Sequence, residues 1–308
     1  MALLPDTLIV GGRRAAGGNP APGPAVPAAS RDVRSRVVAF FRCLTFLTDY
    51  GLEDGFTAAC HGVAAQLAPE IPVMDITHLI PGGDVRRGAA VLAQTIPYFP
   101  PAVHVAVVDP GVGTERRGVA VAAGDAILVG PDNGLLSWAA SVAGGPRAAV
   151  SLTNKEQWLN NAAAPTFHGR DIFMPVAARL AAGADLASAG TEIEVSDLVT
   201  LPPPASRLLD GTAQGEVLTV DTFGNVQLTI SASDADTIGV RYGRNIVVRA
   251  GRRQLTVPYR ETFGAVAPGE LVAFADGSGM VSLAVNSGDA AQRLGLPPGA
   301  HVSLSPAP

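Results

Sequence analysis

The sequence predicts an α/β N-terminal domain built on a mostly parallel central sheet, followed by a smaller all-β, barrel-like C-terminal domain. Three observations carry this expectation. Short apolar runs alternate with helical patterns up to about residue 200, the Leu201-Pro202-Pro203-Pro204 stretch breaks the composition, and the segments beyond it alternate apolar with polar residues.

Each element follows from its own residues. Leu44 to Thr48, Val73 to Ile76, Val103 to Val108, Gly118 to Ala123 and Ala126 to Val129 are short apolar runs bounded by turn residues, which is how buried strands read. Helical spacing falls between them at Asp54 to Leu67 and at Asp84 to Ile96. The second helix follows the breaker Pro81-Gly82-Gly83, takes Asp84 as N-cap and repeats Val85, Ala89, Leu92 and Ile96 on one face, leaving Arg86 and Arg87 to solvent. A further helix is expected from Asp171 to Ala182, stopped by Gly183, and this puts His168 just ahead of a helix start. Beyond the linker, Gly215 to Ile230 and Asn245 to Tyr259 carry the period-two pattern of antiparallel strands. The expected boundaries are an extension over 1–42, the α/β domain over 43–200, a Pro-rich linker over 201–206 and the β domain over 207–308.

Composition excludes several classes. With 308 residues, 47% hydrophobic and 16% charged, the chain can bury a large core. A net charge of −5 without any lysine or arginine run argues against nucleic acid as a partner, because backbone binding relies on clustered positive charge. The longest apolar run, Val37 to Leu47, is interrupted by Arg42 and too short to span a bilayer, so no membrane partner is expected. Cys43 and Cys60 lie in apolar contexts without metal-ligand spacing and read as reduced thiols, which fits a cytoplasmic protein. The first 35 or so residues are rich in Ala, Gly, Pro and Arg, as in a disordered extension. No Gly-x-Gly-x-x-Gly follows the first strand, which removes the main support for a dinucleotide site.

The most informative stretch is Val103 to Arg117, VHVAVVDPGVGTERR, together with Thr166-Phe167-His168-Gly169-Arg170-Asp171 downstream. A strand ending at Asp109 in a Pro-Gly turn delivers a carboxylate to its C-terminal tip, the usual place of chemistry in open α/β sheets, and the turn glycines let Arg116 fold back. Asp75-x-x-His78, with Asp84 nearby, lacks a clearly placed third ligand, so no metal site is expected. Asn133, in Gly130-Pro131-Asp132-Asn133-Gly134, reads equally as a turn residue.

Thr48-Asp49-Tyr50-Gly51, Asp75-Ile76-Thr77-His78, DPGVGTERR, the Pro-Asp-Asn-Gly turn, FHGRDIF and Asp221-Thr222-Phe223-Gly224-Asn225 together resemble the S-adenosylmethionine hydroxide adenosyltransferases, which are related to fluorinase and chlorinase. The resemblance runs from about Cys43 to about Gly299. It implies that water or hydroxide attacks C5′ of S-adenosyl-L-methionine, releasing adenosine and L-methionine without a cofactor. It assigns activation of the nucleophile to Asp109, Arg116 and His168, with either Asp109 or His168 taking the proton. It places Asp49 on the ribose hydroxyls, Asp221 and Asn225 near the methionine and adenosine ends, and Asn286 on the adenine edge. Phe167, Phe223 and Phe263 become candidates to pack on adenine or exclude water. Where the family has an Asn-Ser pair before the glycine aligned with Gly279, this chain has Asp276-Gly277-Ser278, and the departure either weakens substrate affinity or makes Ser278 the substitute contact to the methionine carboxylate.

The resemblance also implies a homotrimer with the substrate between subunits. Two competing readings are a halide transferase and a noncatalytic sensor of S-adenosylmethionine or adenosine. Halide-using relatives replace the Asp, Arg and His set, and fluorinase carries an insertion that this chain lacks, since TERRGVAVAAG passes directly to DAILVGPDNG.

Overall fold

The computed structural model describes residues 41–308. The extension expected over 1–42 lies outside the described residues except for 41 and 42, and Phe41 is already buried in the core.

The first sheet grows outward from β1 (Cys43–Thr48), every residue of which is buried. Beside it lie β2 (Val73–Thr77) and β3 (Ala102–Val107), followed by β5 (Ala126–Pro131), β4 (Gly118–Ala123), β6 (Pro146–Ser151) and β7 (Thr191–Ile193), in the order β2-β1-β3-β5-β4-β6-β7. The β2, β1, β3 and β5 neighbours pair in parallel, whereas β4 and β7 run against the rest. The sheet is thus mostly parallel, as expected.

Both of its faces are covered, which is why its central strands are continuous apolar runs and not alternating ones. Leu44, Phe46, Val103, Val105 and Val107 pack on α1 (Phe56–Leu67) and α4 (Met174–Ala181). Leu47, Ala106, Val108 and Leu128 pack on the opposite side against α2 (Val85–Thr95) and α3 (Ser137–Val142). Asp84 caps α2 by accepting from the Arg87 backbone N–H at 2.9 Å, as the sequence implied.

The second sheet is antiparallel and eight-stranded. Its strands are β8 (Arg207–Leu209), β9 (Thr212–Val220), β10 (Val226–Ser231), β11 (Asn245–Ala250), β12 (Arg253–Pro258), β13 (Leu271–Ala275), β14 (Met280–Val285) and β15 (His301–Pro306). The order is β12-β11-β15-β9-β10-β14-β13, with β8 added on β9. One half of β9 pairs with β15 and the other with β10, and Tyr259, just past β12, bridges Ala273 on β13, so the sheet nearly closes on itself. Val217, Leu228, Ile230, Ile246, Leu283 and Leu304 fill the interior. The expected run from Gly215 to Ile230 is a hairpin whose turn is Asp221 to Asn225.

One expectation is corrected. Arg86 does not face solvent: it pairs with Glu216 on β9 and lies over the Trp138 ring, 5.4 Å from its centroid. Leu218 joins Ala89, Ala90 and Trp138 in a small apolar cluster on the same face of α2. Arg87 is half-buried, and its pKa falls because of that burial. The periodicity of α2 shows one apolar face, but the second buried face is created by a distant strand and is invisible in local spacing. Cys43 and Cys60 are free and buried, and burial pushes the Cys60 thiol up to about 12. Among the described residues no helix is long and apolar enough to cross a membrane.

Candidate active site

The tip of β3 carries the site. Asp109 follows that strand, and the DPGVG turn reverses the chain so that Arg116 returns over it. Arg116 Nε donates to Asp109 Oδ1 at 3.0 Å, and its Nη2 donates to Oδ2. The same Nη2 stands 3.1 Å from His168 Nδ1. Side-chain exposure is 10% for Arg116 and 5% for Asp109, so the pair is largely removed from water. The guanidinium also lies over the Phe173 ring, 5.4 Å from its centroid.

The two loops that meet here are locked by a close backbone approach. Gly113 has φ +79, and a Cβ at that position would fall 2.6 Å from the Pro165 carbonyl oxygen, just ahead of the FHGRD segment. Only glycine satisfies both conditions. His168 precedes a π-helical turn, Gly169–Phe173, which leads into α4. Such turns displace side chains from ordinary helical positions and recur at functional sites. His168 stands at the N-cap position of that turn but makes no capping bond with its side chain, which faces Arg116 instead.

The tautomer of His168 follows from donor chemistry. A guanidinium can only donate, so the Nδ1 facing Arg116 must present its lone pair, and in the neutral ring the proton sits on Nε2. The His168 pKa is lowered, first by burial and then by the Arg116 charge, against opposing contributions from Asp109 and Asp171. The ring is therefore neutral over a wider pH range than an ordinary histidine.

Two residues given no role at the site by the sequence reading support this centre. Asn133 Nδ2 donates to the Val108 carbonyl at 2.9 Å, tying the turn after β5 to the residue before Asp109. Its turn signal was legible, but its cross-strand bond was not. Tyr50 sets its hydroxyl against Gly169, next to His168, with the hydroxyl proton held tightly by burial, by Cys60 and by the Asp49 and Asp109 charges. A Cβ on Gly169 would fall 2.1 Å from the Tyr50 hydroxyl, which explains the glycine after His168. Asp171 lies in the first turn after His168 and also closes the loop: it accepts from Ala164 N–H at 2.7 Å and from Arg170 Nε at 2.6 Å.

The remaining predicted residues fall into two groups. Asp49 and Phe167 adjoin the centre. Asp49 Oδ2 accepts from Gly83 N–H at 2.8 Å, while Phe167 stacks edge-on against Tyr50 and Phe56 at 5.8 and 5.4 Å. The others belong to the β part. Asp221 organises its own turn, accepting from the Phe223 and Asn225 backbone N–H groups at 2.9 Å and from Asn225 Nδ2 at 2.8 Å. Phe223 and Phe263 stand 77% and 52% exposed. Asn286 Nδ2 donates to the Val266 carbonyl at 2.7 Å, which fixes the loop that carries Phe263. Ser278 donates its backbone N–H to Asp276, whose carboxylate also accepts from Met280 N–H, Ser282 and Gln227. Asp276 thus pins the β13–β14 turn. Among the described residues no hydrogen bond, ion pair or ring contact joins this second group to Asp109, Arg116 or His168.

The fold also gathers His61, Asp75 and His78, whose donor atoms lie within 4.8 Å of one another. Asp75 and His78 were visible as a spaced pair, but the third member comes from α1 and could be supplied only by tertiary packing.

Comparison with known proteins identifies the family. Residues 44–190 match the model of the SAM hydroxide adenosyltransferase N-terminal domain, and residues 215–303 match that of the corresponding C-terminal domain. The chain is 58% identical over 264 residues to an (R)-S-adenosyl-L-methionine hydrolase from Salinispora tropica, covering 85% of this chain and 97% of the relative. It is 42% identical over 273 residues to a protein of the same name from Thermus thermophilus, covering 85% and 99%. A crystal structure of an uncharacterized conserved protein from Thermotoga maritima superposes with a TM-score of 0.81 at 33% identity, covering 85% of this chain and 99% of that one. Proteins named fluorinase match more weakly, at 25–27% identity.

Proposed function

The chain belongs to the SAM hydroxide adenosyltransferase family, and on that premise we propose that it hydrolyses S-adenosyl-L-methionine to adenosine and L-methionine through Asp109, Arg116 and His168. The observation that carries this reading is the unbroken contact from Asp109 through Arg116 to His168 at the tip of β3. Its relatives are named for the (R) sulfonium epimer, and the same epimer is the substrate inferred here.

A water oxygen attacks C5′ and forms the new C–O bond as the C5′–S bond breaks, its electrons returning to sulfur. The leaving group goes from a sulfonium cation to a neutral thioether, so it needs no general acid, and the reaction needs no cofactor. What the site must supply is a positioned, deprotonated nucleophile. Arg116 is a permanent cation that favours hydroxide over water. Asp109 holds Arg116 in a fork and is the proton acceptor, because a carboxylate oxygen keeps a lone pair while accepting one hydrogen bond. His168 Nδ1 would have to give up Arg116 and become a cation beside a cation, so His168 positions the arginine and leaves the proton to Asp109.

Asp49 offers Oδ1 to the ribose hydroxyls while Oδ2 holds Gly83. Phe167 borders the nucleoside. Asp221, Phe223, Asn225, Phe263, Ser278 and Asn286 complete the methionine and adenine ends from the β domain over 207–308 of a neighbouring subunit, in a homotrimer. The exposure of Phe223 and Phe263 supports a surface that a subunit and a substrate cover together. The free, buried thiols fit a cytoplasmic setting. Halide transfer is disfavoured by the intact Asp, Arg and His set.

Incubation with the (R) epimer in oxygen-18 water, followed by mass spectrometry, tests the reading. Label in the 5′ hydroxyl of adenosine, lost in Asp109→Asn, is the expected result. Intact bound substrate would turn the protein into a sensor, and unlabelled adenosine would exclude attack by solvent.

A further inference from the structure

We propose that His61, Asp75 and His78 form a binding site for one first-row divalent transition-metal ion, Zn²⁺ in the first instance, on the side of β1 away from the hydrolytic centre. His61 lies on α1, Asp75 on β2 and His78 directly after β2. Two separate stretches of chain, α1 and the end of β2, therefore deliver two imidazoles and a carboxylate to one point.

The distances suit an ion. Asp75 Oδ1 is 2.8 Å from His61 Nε2 and 3.1 Å from His78 Nε2. Donors around a tetrahedral zinc, at about 2.0–2.1 Å from the metal, stand about 3.3 Å apart, so the Asp75 oxygen and each imidazole nitrogen need to open by only a few tenths of an ångström, and all three donor atoms already lie within 4.8 Å of one another. Two imidazole nitrogens and one carboxylate oxygen also make up the borderline donor set that zinc and its neighbours prefer over magnesium or calcium.

A second observation points to a ligand. The His78 side chain is 3% exposed, and its Nε2 is a buried polar atom with no hydrogen-bond partner among the described residues, although it faces the Asp75 oxygen. A buried nitrogen left without a partner is costly. A cation between the two groups accepts the His78 lone pair and the carboxylate charge together. The other ring nitrogen already has a partner of the kind that supports metal ligands: His78 Nδ1 lies 2.9 Å from Thr48 Oγ1, and in the tautomer that carries its proton on Nδ1 the ring donates there and leaves Nε2 free to coordinate. Phe46 walls the site on its inner side, with ring centroids 4.9 Å from His78 and 6.0 Å from His61. Side-chain exposures of 36% for His61 and 43% for Asp75 leave an entry path and a coordination position open to water.

The site bears on the loop carrying Asp49 without entering the reaction. Gly51 N–H donates to the His78 carbonyl at 2.8 Å, and Tyr50 N–H donates to Thr48 Oγ1 at 3.1 Å. An ion holding His78 to α1 also holds the start of that loop.

The test is a titration of the untagged, chelator-stripped full chain with Co²⁺, followed by displacement with Zn²⁺. The expected result is saturation at one equivalent, with the visible ligand-field bands of low-coordinate cobalt, reversed by zinc. His61→Ala and Asp75→Asn, both near the surface and checked for folding by circular dichroism, should each weaken binding at least 10-fold, and Thr48→Val about 10- to 100-fold through loss of the outer partner. A chain that takes up no Co²⁺, or that binds it equally well in folded His61→Ala, overturns the proposal. Adenosine formation is not the readout, so the hydrolytic reading stands or falls separately.

Discussion

Arg116→Lys is the sharpest test of the hydrolytic centre, because it keeps the charge and removes the geometry. Arg116 directs three donor contacts, two to Asp109 and one to His168, from a fork only 10% exposed. A lysine ammonium reaches Asp109 as a point charge and surrenders the second carboxylate contact and the histidine. Charge-assisted hydrogen bonds contribute about 1.5–3 kcal/mol each. The lower value applies, since the ammonium restores part of the field, and two lost contacts then amount to about 3 kcal/mol, or roughly 10²-fold in rate. Adenosine production should fall by about that factor at saturating substrate, while Asp109 still faces a cation and so escapes the larger penalty of a stranded buried charge. Arg116→Met is a poorer probe: it strands a buried carboxylate and costs about 3–5 kcal/mol of stability, confusing catalysis with folding. A folded Arg116→Lys enzyme within threefold of the wild-type rate would refute the fork as the source of activation.

Four further outcomes are expected. Gly169→Ala should cut activity strongly, since its methyl group would collide with the Tyr50 hydroxyl 2.1 Å away, and Tyr50→Phe in the same chain should restore part of it by removing the obstructing oxygen. His104, buried against Thr45, has its pKa lowered to about 4 by burial, so its contribution to stability is full above about pH 6.5 and disappears as pH falls toward 4. Denaturant unfolding at pH 7 and pH 4.5 should show an acid loss from this group of about 2 kcal/mol that His104→Gln removes; equal losses in both proteins would refute this. Because burial and Arg116 lower the His168 pKa, turnover should persist at the ordinary histidine value and fall only below it, with KM rising in acid. Finally, mixing His168→Ala with Asp221→Ala subunits should recover activity if one substrate is served by two chains, and verified mixed trimers that remain inactive would count against the shared site.

The strand tips were legible because parallel strands buried on both faces have an unmistakable apolar run that ends abruptly at Asp49 or Asp109. The pairing of Asp109 with Arg116 was equally legible, since a short glycine turn leaves little choice about where the arginine goes. What escaped was everything that depends on a segment distant in sequence. Arg86 reads as a solvent-facing residue of α2 until β9 arrives with Glu216 and Leu218. Asn133 reads as a turn residue until β5 is placed next to β3, and Asp75-x-x-His78 reads as an incomplete pair until α1 swings His61 over β2. The Asp276-Gly277-Ser278 departure is similar: its aspartate secures the β13–β14 turn and Gln227, a role set by hairpin register and not by the motif.

The charge balance of the centre explains why an arginine can serve a cationic substrate at all. A sulfonium approaching a bare guanidinium in a water-poor site would be repelled, since Coulomb interactions at a few ångströms are strong when screening is weak. Asp109 cancels that charge at contact distance, so the pair presents a dipole, and the neutral His168 orients it without adding to it. The dipole can still stabilise a developing hydroxide at the arginine face, because field direction and not net charge acts over the length of one bond. Protonating His168 would break this arrangement twice over: the ring would lose its bond to Arg116, and the centre would acquire a net positive charge facing the sulfonium. Binding should therefore weaken together with turnover in acid, which separates this account from one in which His168 is a simple base and only turnover responds.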